Sequence, residues 1–294
     1  MGAPESGFAP GMGQLEQQAA PTGIGGTALA VTHFRVVESE REDRLFADPF
    51  ARAFLDAAGG ALIDEMIAAV GEAGLGAHIV LRVRFFDDAA LEACRLDCRQ
   101  VVLLGAGLDT RAFRLAWPAG VRVFEVDLPG VLDFKDQVLA AEGALPLSER
   151  IAVEADLGGA WGEALAAAGH RADEPTAWVM EGLVPLLPPE LTETLVAEAT
   201  RLSAPGSRLA LEHVDEGFRT LPEQGALHGA LHRLSSAFQS HVQDPAAWLG
   251  GYGWAANVGT GAQVARRYGR PFPAHFDPDA GGPAGQIWMI DAYR

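Results

Sequence analysis

Val101-Val102-Leu103-Leu104-Gly105-Ala106-Gly107-Leu108-Asp109-Thr110-Arg111 decides the fold class of this chain. Four apolar residues run into a Gly-x-Gly turn, and a carboxylate follows two positions later. An uninterrupted apolar run of this length suits a strand buried on both faces, as in a parallel sheet. Gly105 and Gly107 allow a sharp turn and bring bare backbone close to a ligand, with Ala106 between them. Some twenty residues on, Val121-Arg122-Val123-Phe124-Glu125-Val126-Asp127 reads as a second strand ending in carboxylates. A glycine turn beside a strand-end carboxylate is the layout that grips a ribose diol.

Outward from this unit, strands and helices alternate. Strands are expected at 101–104, 121–126, 150–154, 176–180, 207–213 and 286–292, and helices at 109–116, 130–142, 159–168, 188–203 and 245–251. That alternation predicts an α/β, Rossmann-like, mostly parallel doubly wound sheet, closed by an antiparallel last strand at Gln286–Tyr293. Residues 30–98 read as an N-terminal helical region. Leu45-Phe46, Pro49-Phe50 and Phe54-Leu55, then Leu62-Ile63, Met66-Ile67 and Val70, recur at helical spacing, and a helix follows from about His78 to Cys94. Residues 1–29, rich in Gly, Pro, Ala and Gln, read as a flexible tail, without the basic and apolar regions of a signal peptide. The α/β domain spans 99–294. Within it, residues 215–244 exceed a normal connection and carry Leu227, Leu231 and Leu234 at helical spacing. This segment is expected to be a helical cap over the acceptor pocket, the alternative being a surface excursion.

Which nucleoside ligand the turn holds depends on a missing glycine. The dinucleotide fingerprint has a third glycine where this chain has Thr110, and Asp109 near the helix start opposes a pyrophosphate. S-adenosylmethionine (SAM) has a ribose diol, an adenine and a sulfonium but no phosphate, so a carboxylate-rich site suits it. A dinucleotide site and a purely structural glycine turn stay open on these residues alone.

Gly105-Ala106-Gly107-Leu108-Asp109-Thr110-Arg111-Ala112-Phe113-Arg114-Leu115 resembles the SAM-binding motif of the leucine carboxyl methyltransferase family, which includes polyketide carboxyl methyltransferases of the tetracenomycin type. Four further segments fit in order: Glu42–Pro49, Arg82–Asp88, Phe124–Pro129 and Met180–Leu183. The likeness covers roughly residues 30–213, with a weaker echo in Gly253-Trp254 and Tyr268–Pro271. It implies a class I SAM-dependent methyltransferase fold and activity.

Ligands of open α/β sheets bind beyond the carboxyl ends of the strands, so the loops after 104, 126, 154, 180 and 213 converge on one site. Asp127, with Leu128 after it, is the expected ribose acceptor; Glu125 is its competitor, and the resemblance favours Asp127. Asp156 and Leu157 offer a carboxylate and a backbone amide to adenine and match the family's adenine contacts. The alternative for Asp156 is a helix N-cap. The resemblance implies Arg82 as partner of the cofactor carboxylate and Glu181 as a carboxylate near the cofactor amino group; Arg84, two residues along a helix from Arg82, is expected to point elsewhere.

A carboxylate acceptor needs no base. A phenol, with an unperturbed pKa near ~10, is assisted by one, and His213 at the end of the fifth strand is the candidate, a structural histidine being the alternative. Phe218, Arg219, Arg233, Phe238 and Trp254 are candidates for a pocket that holds a planar or anionic small molecule. His228 and His232, four apart without a third ligand, do not make a metal site, and no metal is assigned.

The formal charge of −17 disfavours nucleic acid and anionic membranes as partners, although solubility is its plainer account. No apolar run reaches the ~20 residues that span a bilayer. Cys94 and Cys98 are the only cysteines and read as free thiols in a reducing cytoplasm. The expected activity is SAM-dependent O-methylation of a carboxylate or hydroxyl on a small molecule, such as a polyketide-like natural product. The competing readings are a SAM-binding protein of the same fold that transfers no methyl and a nicotinamide oxidoreductase.

Overall fold

The computed structural model describes residues 24–294 except 59–60, 73, 220–224, 226–227, 230–231, 233–236, 278 and 280–284. Seven strands form one sheet: β1 (Gln100–Leu104), β2 (Arg122–Asp127), β3 (Glu149–Glu154), β4 (Thr176–Met180), β5 (Arg208–Val214), β6 (Ala255–Thr260) and β7 (Ile287–Tyr293). Their order is β3-β2-β1-β4-β5-β7-β6. The first five strands are parallel, and β7 runs antiparallel to both β5 and β6. β1 lies between β2 and β4, so the strand order reverses beside it and a crevice opens beyond Leu104.

Every residue of β1 is buried, and its alternation divides the core into two layers. Val101 and Leu103 face a cluster with Phe85, Phe86, Phe113 and Phe134. Val102 and Leu104 face another with Trp161, Trp178, Leu195 and Leu249. The first layer is built mainly by α4 (Gly76–Arg95), α5 (Arg111–Arg114) and α6 (Pro129–Ala141), and the second by α7 (Trp161–Ala167), α8 (Pro189–Arg201) and the helix Pro245–Gly250. Buried apolar area on both faces is what holds a parallel sheet together.

The N-terminal region packs across the crevice end of the sheet. α1 (Ile24–Ser39) contacts α2 (Ala51–Ala58), α3 (Ala61–Glu72) and α4. Ala30, Met66, Val70 and Ile79 from these helices join Val214, Phe218 and Ile287 in a third cluster. α1 therefore begins inside the expected tail, at Ile24 rather than residue 30, and Leu29 is fully buried. Leu45 to Phe50 are turns and coil despite their helical spacing. There the buried Asp48 caps the chain through the N–H of Phe50 and binds Arg35, so a polar anchor replaces a helical face.

The helix expected over 109–116 is a single turn, Arg111–Arg114. β6 and the helix Gly261–Arg267 lacked an apolar period; β6 is a half-exposed edge strand, and the helix is set by a capping box between Thr260 and Gln263. Cys94 and Cys98 are buried and free, and burial raises their thiols to about 12 and about 11.

Candidate active site

A cavity of about 440 Å³ opens at the switch point between β1 and β4. Its size falls in the range of small-molecule sites. Arg82, Gly105, Ala106, Gly107, Asp127, Leu128, Asp156, Leu157 and Glu181 all lie on its wall, brought together from α4 and the loops after β1, β2, β3 and β4.

The glycine turn is shaped by the carboxylate opposite it. Gly105 and Gly107 have φ of +63° and +49°, which L side chains rarely adopt. A Cβ on Gly105 would also come within 3.0 Å of the Leu183 side chain. Asp127 accepts the N–H of Gly107 at 2.6 Å and of Leu128 at 2.7 Å. A carboxylate has about four lone-pair sites, so capacity for a diol is left. Burial raises the Asp127 pKa against the lowering pull of these two bonds. Its competitor Glu125 faces away from the cavity, where it holds Lys135 at 2.8 Å and Arg150 at 2.7 Å in full burial.

Asp156 accepts from the N–H of Gly158 at 2.8 Å and so braces a turn. It does not cap α7, whose N-cap is Ala160. Asp127 and Asp156 make no ion pair among the described residues, so their charge is presented to the cavity. The helix start after the glycine turn is already taken, because Asp109 accepts the N–H of Arg111 at 2.6 Å. A pyrophosphate would have to displace that carboxylate. A ligand with hydroxyls and positive charge meets no such barrier, and the residues present fit SAM on these grounds.

Beneath the turn lies a buried ionic network that the sequence reading missed. Arg111, 1% exposed, donates to Asp87 at 2.7 Å, to Glu181 at 2.6 Å, to the Val83 carbonyl at 3.2 Å and to Asp109. Arg114 forks onto Asp87 at 2.6 and 2.7 Å. Arg82 divides its fork between Glu181 at 3.1 Å and Glu212 at 2.9 Å. The Arg82 expected to meet a cofactor carboxylate is thus held by two protein carboxylates. Burial would lower its pKa, and Glu212 and Glu181 raise it above the usual value. Arg84 points elsewhere, to Asp88 at 3.0 Å and over the Tyr268 ring.

A second cavity of about 110 Å³ adjoins the first and shares Thr27, Val31, Arg82 and Gly182 with it. Phe218 and Phe238 line it, their rings edge to face at 5.6 Å. Its polar floor is His78, Arg82 and Glu212. His78 and Glu212 were not singled out from the sequence, although His78 and Arg82 share a face of α4 by their i, i+4 spacing.

Three expected site residues lie elsewhere, and one is outside the described residues. His213 sits on the opposite face of β5 from Glu212, because successive strand residues alternate. Its ring packs on Trp248 at 5.6 Å and its Nδ1 accepts the N–H of Val214 at 2.9 Å, so it is a structural histidine and lines neither cavity. Burial lowers its pKa to about 4. Trp254 is a core residue of the same layer, with Nε1 donating to Thr200 at 2.8 Å. Arg219 is half-buried at the end of α9 (Glu216–Arg219) and is on neither wall. Arg233, Leu227, Leu231 and Leu234 lie outside the described residues.

Sheet order and switch-point cavity are those of a class I methyltransferase fold. Residues 28–200 match leucine carboxyl methyltransferase, and the chain belongs to that family. It is 46% identical over 265 residues to a Parafrankia sp. (strain EAN1pec) protein, covering 88% of this chain and 85% of that one. It is 44% identical over 280 residues to a Streptomyces coelicolor protein, covering 92% and 96%. Both are named as S-adenosyl-L-methionine-dependent methyltransferases. A crystal structure of a Thermobifida fusca protein described as a methyltransferase superposes with a TM-score of 0.58 at 17% identity, covering 97% of this chain and 99% of the other. The chain is accordingly an enzyme with SAM as its cofactor. Among the described residues no single helix is long and apolar enough to cross a membrane.

Proposed function

We propose that this enzyme is an O-methyltransferase acting on a carboxylate or hydroxyl of a small, polyketide-like molecule in the cytoplasm. One observation carries the reading of the cofactor site. All nine residues assigned to it from the sequence lie around a single cavity at the switch point, and two of them, Asp127 and Asp156, are carboxylates with no ion pair among the described residues. In this reading Asp127 and Leu128 hold the ribose, and Asp156 and Leu157 meet the adenine. The Gly105-Ala106-Gly107 backbone and the Arg82–Glu181 pair hold the methionine end. SAM supplies an electrophilic methyl on a sulfonium whose leaving group is a neutral thioether.

The chain's own contribution is alignment, which can provide much of the rate of a bimolecular displacement. The buried network under the turn fixes the wall against which the cofactor lies, and closely packed apolar side chains limit water there. The second cavity, with Phe218 and Phe238, is the acceptor site; the cap expected over residues 215–244 lies in part outside the described residues. Calorimetric titration with SAM and with S-adenosylhomocysteine tests the proposal. Micromolar or tighter binding of both supports it, and a methylated acceptor then completes it. Absence of binding by either refutes it.

A further inference from the structure

The floor of the second cavity holds a histidine and a carboxylate that the cofactor reading does not use. His78, 4% exposed, lies with its Nε2 3.0 Å from Oε2 of Glu212. Glu212 also accepts from Arg82 at 2.9 Å and from the N–H of Gly182 at 2.8 Å. Burial opposes its charge, but Arg82, His78 and that N–H prevail and hold its pKa at about 2. An ionised carboxylate can only accept, so Nε2 carries a proton, and in the neutral tautomer this selects, Nδ1 is the acceptor. Nδ1 is buried and has no hydrogen-bond partner among the described residues. A buried polar atom without a partner calls for a ligand or a role.

The walls around it say what the ligand is. Met66, Val70, Ile79, Leu186, Phe218 and Phe238 are apolar. Arg82 is the one cation on this wall among the described residues, and its charge is shared by Glu181 and Glu212. An anionic acceptor would enter without an unpaired counter-charge, which is costly in an apolar site. A neutral hydroxyl meets an apolar wall with one unpartnered nitrogen, Nδ1 of the lining His78, buried in it. At about 110 Å³ the cavity is smaller than the ~150 Å³ that takes a benzene ring, and an aromatic acceptor would extend from it into the larger site that it adjoins.

We propose that His78 is the general base of methyl transfer, with Glu212 as its positioning residue, and that the acceptor is an aromatic hydroxyl seated in the second cavity. This rests on the O-methyltransferase reading and narrows its acceptor to a hydroxyl. The acceptor O–H gives its proton to Nδ1 of His78, and the oxygen's electron pair forms the new bond to the methyl carbon. The methyl–sulfur bond breaks with its electrons returning to sulfur, and the imidazolium, stabilised by Glu212, then releases the proton to solvent. The arrangement parallels other histidine bases that a buried carboxylate holds in one tautomer.

Nitrogen NMR of the full chain tests this, with His78 assigned by the signal lost in His78→Asn or, should that variant fold poorly, His78→Gln. S-adenosylhomocysteine binding is measured on the same sample, and phenol and benzoate are the probes. The expected result is a neutral ring protonated at Nε2 in the ligand-free protein. With S-adenosylhomocysteine bound, phenol moves the Nδ1 signal and benzoate at equal concentration moves it at least tenfold less. A ring protonated at Nδ1, an equal response to benzoate, or no response to phenol overturns the assignment of His78. Failure to bind S-adenosylhomocysteine overturns the O-methyltransferase reading instead, and leaves the tautomer result standing on its own.

Discussion

Asp127, at the end of β2, accepts at 2.6 Å the backbone N–H of Gly107 in the turn after the neighbouring β1. The residue expected to hold the ribose also fixes the turn expected to hold the methionine end. Binding and shape are coupled through one carboxylate.

Asp127→Ala should therefore weaken SAM more than the loss of a single contact would. Each hydrogen bond to a charged group is worth about 1.5–3 kcal/mol, or roughly 10- to 150-fold in affinity. Calorimetry should give a loss at or beyond the upper part of that range. A near wild-type constant would place the ribose elsewhere.

Arg111→Met should destabilise the fold strongly. It leaves Asp87, Asp109 and Glu181 in burial without their shared guanidinium. Breaking a buried charge network by removing one member costs about 3–5 kcal/mol. Arg111→Lys should recover only part of this, because a single ammonium cannot reproduce the fork. Urea denaturation compares the three proteins, and a loss within ~0.5 kcal/mol for the methionine variant would contradict the account.

His213→Asn should leave methyl transfer and SAM affinity unchanged, since the ring lies in the layer opposite both cavities. It should alter the dependence of stability on pH. The pKa of His213 falls from 6.5 to about 4 in the fold because burial penalises the charged ring. Below pH 6.5 the unfolded chain binds a proton that the folded chain refuses, so stability falls as pH drops from 6.5 towards 4. His170, lowered to about 4 by burial and Arg122, acts in the same direction. Unfolding measured at pH 7 and pH 5 should show a smaller loss in the variant than in the wild type. An equal loss would mean that His213 titrates normally.

At lower pH a different group dominates. Glu212, held at about 2 against an ordinary 4.5, contributes stability that is fully present above 4.5 and is lost as pH falls from 4.5 through 2. Glu212→Gln should flatten unfolding free energy in that window, as denaturant titration at pH 5 and pH 3 would show. An unchanged slope would contradict the charged state given to Glu212.

The sheet was legible because its signals are local. Val101–Leu104 is apolar throughout and ends in glycines, and both features follow from burial on two faces and a turn at the crevice. Asp127 was legible because the strand end fixes its place. His213 was misplaced because one residue of register decides which face of β5 it takes, and the run Leu209–Val214 is buried on both faces, which hides that parity. Trp254 failed likewise, since an aromatic after a glycine reads the same in a pocket or a core. The network of Arg111, Asp87 and Glu181 joins residues far apart in sequence, and only the packing of α4 against the switch point reveals it. β6 gave no signal because a half-exposed edge strand needs no apolar period.

A crystal structure of the chain with S-adenosylhomocysteine tests the central claim most directly. The ribose hydroxyls should lie within hydrogen-bond distance of the Asp127 carboxylate, with the adenine beside Asp156 and Leu157. A nucleoside bound with Asp127 untouched, or seated outside the switch-point cavity, would contradict it.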